Sequence, residues 1–272
     1  MPTGRALIED VNECSTPHGS CALWWMGQQS FILKMGSVVL YLDPFLSDVE
    51  GRLVAPMLKP QDVRNASFVL GTHDHIDHID RGSWPAIADA SKDAVFVVPD
   101  LLRESLSQET GISPNRFAGL NDGLTYESRG IRISAVAAAH EFLDRDDESG
   151  RYPYLGYIIE GNGCVVYHAG DTCRYEGLVG KLRRWPIGAA ILPINGRDAA
   201  RLRRNIIGNM TYQEAADLAG ELEPGVTIPA HFDMFGHNGA DPQPFIEYMH
   251  VKYPRLKAIV CEHGRRTMIA AR

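Results

Sequence analysis

Ala66-Ser67-Phe68-Val69-Leu70-Gly71-Thr72-His73-Asp74-His75-Ile76-Asp77-His78 joins an apolar run of strand character to a cluster of metal-type donors. Ala66 to Leu70 reads as a buried strand that runs straight into Gly71-Thr72-His73. The six residues from His73 to His78 carry three imidazoles and two carboxylates. Crowding such groups is costly unless something binds them. Neutral imidazole and carboxylate suit zinc, manganese or iron. The spacing H-x-H-x-D-H sets His73 and His75 on one side of the turn. Asp77 and His78 face a neighbouring position, so one loop can serve two metals.

Three further donors each end an apolar run. His140 closes Ile131 to Ala139, Asp171 follows Tyr167-His168-Ala169-Gly170, and His231 follows Val226 to Ala230. Loops at strand ends are how a rigid sheet positions a site. A lone histidine at a strand end is more often a hydrogen-bonded core residue. Coming in this order after H-x-H-x-D-H, the three read as its partners.

The surrounding pattern is one of strands first and alternation later. Phe31–Lys34 and Val38–Leu42 flank Met35-Gly36-Ser37, a hairpin signal. Further strands are expected at Ala94–Val98, Gly123–Ser128, Ile131–Ala137, Tyr154–Glu160, Cys164–Tyr167, Ala189–Ile194, Val226–Ile228 and Lys257–Cys261. Gly161-Asn162-Gly163 is a tight turn of residues suited to positive φ. Helices are expected from Asp80 through Ile87, over Leu101–Gln108 with Asp100 as cap, and from the capping box Thr211-Tyr212-Gln213-Glu214 to about Leu222. A last helix opens at Asp241-Pro242 and runs to about Lys252. Such mixing suggests α/β layers with helices outside sheets.

Composition narrows the function classes. The chain has 272 residues, 44% hydrophobic and 22% charged, the make-up of an ordinary folded protein. With no repeat, low-complexity run or linker, residues 1–272 read as a single domain. A net charge of −7 argues against a nucleic-acid partner. The absence of a long apolar run argues against membrane insertion. Met1 to Asp10 has no apolar core of a secretory signal. The five cysteines are odd in number and without a C-x-x-C pair, which fits a reducing, cytoplasmic setting. No G-x-S-x-G elbow is present, so a serine hydrolase is not expected. Cys173 reads as a small buried thiol rather than a nucleophile.

The ordered set H-x-H-x-D-H, His140, Asp171, His231 resembles the metallo-β-lactamase superfamily over about Ala22 to Met268. The resemblance implies a four-layer αββα sandwich with metals at the sheet edges. It implies His73, His75 and His140 on a first metal, Asp77, His78 and His231 on a second, and Asp171 bridging them. A narrower likeness is to the L-ascorbate-6-phosphate lactonase branch. It is carried by Ala22-Leu23-Trp24-Trp25-Met26-Gly27, Leu42-Asp43-Pro44-Phe45, Thr72 to Asp80, Tyr167 to Thr172, Ile228 to Asp233, Asn195, Arg197 and Met210-Thr211. Around His140 the branch shares mainly Asp144-Arg145, so His140 is carried from the wider superfamily.

The resemblance implies a metal-dependent hydrolase with two divalent ions, manganese or zinc, acting on a small anionic lactone such as a sugar-acid phosphate. Paired ions roughly 3.5–4 Å apart can hold a hydroxide near neutral pH and polarise a substrate oxygen. The ring oxygen then leaves as an alcohol and needs a proton, for which Asp77, Asp233 and a metal-bound water are the candidates. Arg197, with Arg201, Arg203 and Arg204 nearby, reads either as an anion clamp or as a solvated loop. Asn195 and Trp25 are the other candidates for substrate contact. Asp43, Asp233 and His168 are candidates to orient a ligand histidine, and His237 and His263 are reserve donors. A homo-oligomer is expected by resemblance only. Two rivals stand beside the lactonase: a metal-dependent phosphodiesterase acting on a cyclic nucleotide or phospholipid headgroup, and a non-catalytic metal-dependent ligand-binding protein.

Overall fold

The computed structural model describes residues 2–272. The first half of the chain supplies six strands: β1 (Ser20–Trp25), β2 (Phe31–Met35), β3 (Val38–Leu42), β4 (Phe68–Leu70), β5 (Val95–Pro99) and β6 (Phe117–Leu120). The next six are β7 (Thr125–Ser128), β8 (Ile131–Ala137), β9 (Leu155–Gly161), β10 (Cys164–His168), β11 (Ala189–Pro193) and β12 (Val226–Ala230). A last strand, β13 (Arg266–Ala270), returns to pair antiparallel with β1. One sheet runs β13-β1-β2-β3-β4-β5-β6 and the other β12-β11-β10-β9-β8-β7. Each is antiparallel on one side and parallel on the other. The change falls at β3 in the first sheet and at β10 in the second.

Alternation along the strands sorts the layers. Leu23, Leu33, Leu40, Phe68 and Val97 share a core with Ile133, Tyr157, Ile159 and Val166 of the opposite sheet. Their neighbours Trp24, Ile32, Tyr41, Val69 and Phe96 belong to a separate core. That second core is closed by Leu7 and Val11 of α1 (Gly4–Glu13), Trp84 and Ile87 of α2 (Trp84–Ala90) and Leu106 of α3 (Arg103–Thr110). A period of two therefore makes a strand apolar on both faces, which only a layer inside other layers requires. On the far side lie α4 (Leu178–Leu182), α6 (Tyr212–Leu222) and α7 (Gln243–Lys252), while the short α5 (Ala199–Leu202) sits in the connection between β11 and α6. Leu178, Leu218, Leu222 and Phe245 bury against the second sheet. The result is the four-layer αββα sandwich.

The turns explain much of this. Asn162 at φ 50° and Gly163 at φ 77° close the β9–β10 hairpin. Thr211 and Glu214 form the reciprocal capping box of α6. Three readings need correction. Lys257–Cys261 is no strand: it touches β12 through a single bridge at Ala258 and leaves β12 as the edge of its sheet. The helix expected from Asp80 begins at Trp84. Asp80 turns its carboxylate to the backbone N–H groups of Leu46 and Ser47, at 2.8 and 2.7 Å, and ties the β3–β4 connection down. Asp100 opens a 3-10 turn, and α3 starts only at Arg103. Helix α1 and strands β1, β6 and β13 were not read from the sequence as elements.

The arrangement matters because of where the strands end. The carboxyl ends of β4, β8, β10 and β12 carry the loops with His73–His78, His140, Asp171 and His231. Crevices outside the carboxyl ends of parallel strands are where open α/β sheets place their ligands.

Candidate metal centre

After β4 the chain makes a tight turn. His78 N–H donates to the carbonyl of His75 at 3.0 Å, and Ile79 N–H donates to the same carbonyl at 2.8 Å. This winding turns His73, His75, Asp77 and His78 inward. Asp74 points outward to Arg81, and Ile76 is exposed. The inward side chains meet the three from the second sheet. His73, His75, His140 and Asp171 offer ligand atoms all within 4.8 Å of one another, and Asp77, His78 and His231 form a second group by the same measure. Asp171 lies between the groups. Its Oδ1 is 3.4 Å from His78 Nε2, and its Oδ2 is 3.1 Å from His231 Nε2 and 3.7 Å from His140 Nε2.

Other side chains fix the rings. Asp43, itself at φ 42°, accepts on one oxygen from His78 Nδ1 at 2.7 Å, His168 Nε2 at 2.9 Å and the Thr72 hydroxyl at 2.8 Å. Its other oxygen accepts the Thr72 N–H at 2.9 Å. His78 thereby presents Nε2 to Asp171. Asn209 Oδ1 lies 3.1 Å from His140 Nδ1 and leaves Nε2 of that ring facing Asp171. Asn209 is held in turn by Asn195, and Asn195 by Asn238. Such supports set tautomer and orientation in ligand histidines. Gly170, at φ 60°, lets the Asp171 loop close on Thr72. A Cβ there would lie 2.8 Å from that of Thr72.

The charges divide in two. Burial holds His73 well below the usual histidine value, and it holds His75 down as well. Burial also brings His140 down to about 4. These are neutral imidazoles, the form that binds metal. Burial would depress His78 as well, but Asp171, Asp77 and Asp43 outweigh it and hold the ring up at about 10. His231 is raised against burial by Asp171. Asp171 is kept well below the carboxylate range, burial being outweighed by His231 and His78.

The donor set fits divalent cations on an independent observation. His78 Nε2 and Asp171 Oδ1 are buried without a hydrogen-bond partner among the described residues. Each such atom costs about 1–3 kcal/mol when left unpaired. Both face the junction of the two groups, where a cation would satisfy them.

A pocket of about 160 Å3 opens on this centre, lined by His75, Asp77, His140, Asp171, His231, Asn205, Ile206, Ile207 and Asn238. Asp77 therefore borders the pocket. The remaining candidates for proton transfer and substrate contact do not. Asp233 accepts from the Gln28 N–H at 2.8 Å and from His263 Nε2 at 2.6 Å, and so braces a turn. Trp25 is buried, stacked on His263 with ring centroids 4.3 Å apart. Arg197 grips both oxygens of Glu214 at 2.7 Å, so its fork is already filled. Asn195 stays outside the lining and reaches the centre through Asn209 and Asn238. Cys173 is buried, and burial pushes its thiol up. His237 lies beside the Phe235 ring, outside both groups.

The amides were missed from the sequence. Gln28, Asn209 and Asn238 sit in or behind the centre, yet Asn and Gln occur throughout the chain without a telling pattern. The one available signal was Gly27-Gln28-Gln29-Ser30, a wholly polar turn between two buried strands.

The family model for the β-lactamase superfamily domain matches residues 39–232. A UPF0173 metal-dependent hydrolase of Pyrococcus furiosus is 31% identical over 222 residues, covering 81% of this chain and 88% of that protein. Among solved structures, a metallo hydrolase from Ignicoccus hospitalis aligns with a TM-score of 0.71 at 24% identity, over 93% of this chain and 100% of the other. An isothiocyanate hydrolase from Delia radicum gut bacteria aligns with a TM-score of 0.72 at 18% identity, over 92% and 100%. The two structural likenesses concern the fold.

Proposed function

The chain belongs to the β-lactamase superfamily, and from that premise we propose that it is a metal-dependent hydrolase with a paired-metal centre. The observation that carries this reading is Asp171, whose Oδ2 lies 3.1 Å from His231 Nε2 of one donor group and 3.7 Å from His140 Nε2 of the other. His73, His75 and His140 would hold one cation, Asp77, His78 and His231 the other, with Asp171 shared. Divalent cations so held supply Lewis acidity and a nucleophile drawn from water at neutral pH.

The protein's own groups do the rest. Asp43 and Asn209 hold the histidines in orientation. Asp77 borders the pocket with one oxygen anchored by Gln28 at 2.9 Å, placed to take the proton that the attacking water loses and to pass it to the departing alkoxide. Asn205 and Asn238 offer neutral polar contacts, and Ile206 and Ile207 form an apolar wall. The pocket is below the usual range of roughly 300–1,000 Å3 for drug-sized ligands, which favours a compact substrate. We take that substrate to be a small lactone or ester. The pocket lining contains no arginine or lysine. An anionic group on the substrate would thus be met by the cations and not by a guanidinium clamp.

Elemental analysis of the purified chain, with His75→Ala and Asp171→Ala beside it, tests the centre. About two manganese or zinc ions per chain, lost in the variants, is the expected result. Protein that takes up neither metal overturns the reading. A lactone and ester panel run against cyclic phosphodiesters tests the bond. Turnover confined to the phosphodiesters would replace the lactone reading, and tight binding without turnover of any compound would remove the hydrolase.

A further inference from the structure

Gln28 occupies the turn between β1 and β2 and is almost wholly buried, at 1% exposure. Its Nε2 donates to Asp77 Oδ2 at 2.9 Å and lies 3.2 Å from His231 Nε2. Both belong to the Asp77, His78, His231 group, and no hydrogen bond joins Gln28 to His73, His75 or His140 among the described residues. Its Oε1 has no hydrogen-bond partner among the described residues. The backbone there has φ 53°, the left-handed region that a residue with a Cβ adopts at a cost.

Three anchors impose that conformation. Gln28 N–H donates to Asp233 Oδ1 at 2.8 Å, and its carbonyl accepts from Trp25 Nε1 at 3.0 Å and from the His231 N–H at 3.1 Å. Asp233 is itself fixed by His263, against which Trp25 stacks. The turn is therefore held from three directions, and what it delivers is one amide. Among the described residues that amide is the one neutral hydrogen-bond donor to Asp77, whose side chain otherwise meets only His78 and His231.

We infer that Gln28 is a positioning residue for one half of the centre, setting Asp77 and His231 for the second cation while leaving the first untouched. Asp233, Trp25 and His263 act through it, by locking its backbone. The inference rests on the paired-metal reading above. It also explains why residues of catalytic type cluster behind the pocket without opening into it.

The test is a titration of zinc chloride into the chelator-treated full chain, followed by calorimetry, with thermal melting of the metal-free protein alongside. Wild type should show two steps. Gln28→Asn tolerates positive φ but withdraws the amide from Asp77, and Gln28→Met keeps the volume without a donor. Both should weaken the second step 10–100-fold, the loss typical of a support behind a ligand. The first step should stay within about twofold, and the metal-free melting temperature should not move. Asp233→Asn should shift the second step in the same direction by a smaller factor. If neither step changes in Gln28→Asn, or both weaken alike, the inference is overturned. A wild type with a single step removes the paired-metal reading and the inference with it. A two-step wild type indifferent to Gln28 removes the inference alone.

Discussion

Asp43 shows how much of the centre depends on one side chain outside the lining of its pocket. A single carboxylate oxygen receives His78, His168 and Thr72, all buried. An amide in its place turns an NH2 toward either the Thr72 N–H or the three donors now shared by the other oxygen, so Asp43→Asn breaks a buried charged network from one side. Such breaks cost about 3–5 kcal/mol. For a chain of this size that lowers the melting temperature by roughly 6–20 °C, and metal affinity should fall by about 10–100-fold as His78 loses its orientation. A melting temperature within a degree or two of wild type would show the network to be dispensable. Arg197 makes the opposite case. Its guanidinium is committed to Glu214 and to the carbonyl of Asn209. Arg197→Ala should therefore change KM for phosphorylated and unphosphorylated substrates by the same factor, and a selective rise for the phosphorylated one would restore the clamp. The contrast marks what a sequence exposes at this scale. Histidine and aspartate in tight spacing have few uses, so His73 to His78 announce themselves. Arginine and the amides have many uses, and only their neighbours in space decide among them.

The same Arg197–Glu214 pair shows what an element requires. Glu214 serves the capping box of α6, accepting the Thr211 N–H at 2.8 Å, while Thr211 Oγ1 accepts the Glu214 N–H. Thr211→Ala should cost about 1 kcal/mol, read from denaturant unfolding, without altering metal content. Burial would raise the Glu214 carboxyl, but its bonds to Arg197 and Thr211 outweigh that and lower it from 4.5. A carboxylate depressed in the folded state contributes stability above its unfolded value, and loses it as pH falls through the folded one. The contribution is thus complete above about pH 4.5 and fades below it. Glu214→Gln should flatten that part of the acid limb of the stability curve; an unchanged slope would show the pair to be inert. This helix was legible because capping chemistry is local. So were the hairpins at Met35-Gly36-Ser37 and Gly161-Asn162-Gly163, where turn residues carry the signal. Strand β13 was not, because Arg266-Thr267-Met268-Ile269-Ala270 buries only Ile269 and owes its form to pairing with a strand some 240 residues earlier in the chain. Lys257–Cys261 misled for the converse reason: it has strand composition and only one bridged residue beside β12.

At the scale of the whole molecule, the centre is a seam. His73, His75, Asp77 and His78 leave the first sheet at β4, and His140, Asp171 and His231 leave the second at β8, β10 and β12. The fold class was readable because buried strands alternated with capped helices. That the two edges meet at one seam was carried only by resemblance, since no local pattern records which strand ends face each other. The meeting has an energetic consequence. A cation bound by donors from both sheets binds the folded chain and not the unfolded one, so it adds to stability by mass action. At free metal about a hundred times the dissociation constant, each site contributes about 2.7 kcal/mol, or roughly 5–10 °C of melting temperature for a chain of this length. Adding a chelator should remove that increment, and restoring zinc or manganese should return it. Asp171→Asn should abolish most of the increment, since Asp171 faces both groups. His231→Ala should abolish only the part owed to the second cation. A melting temperature blind to chelator and metal in the wild-type chain would mean that the donors of the two sheets share no cation. The same scan on Gln28→Asn then separates the sites: its metal-dependent increment should match that of His231→Ala at low zinc and approach wild type as zinc is raised, because the ligands are intact and only their setting is lost.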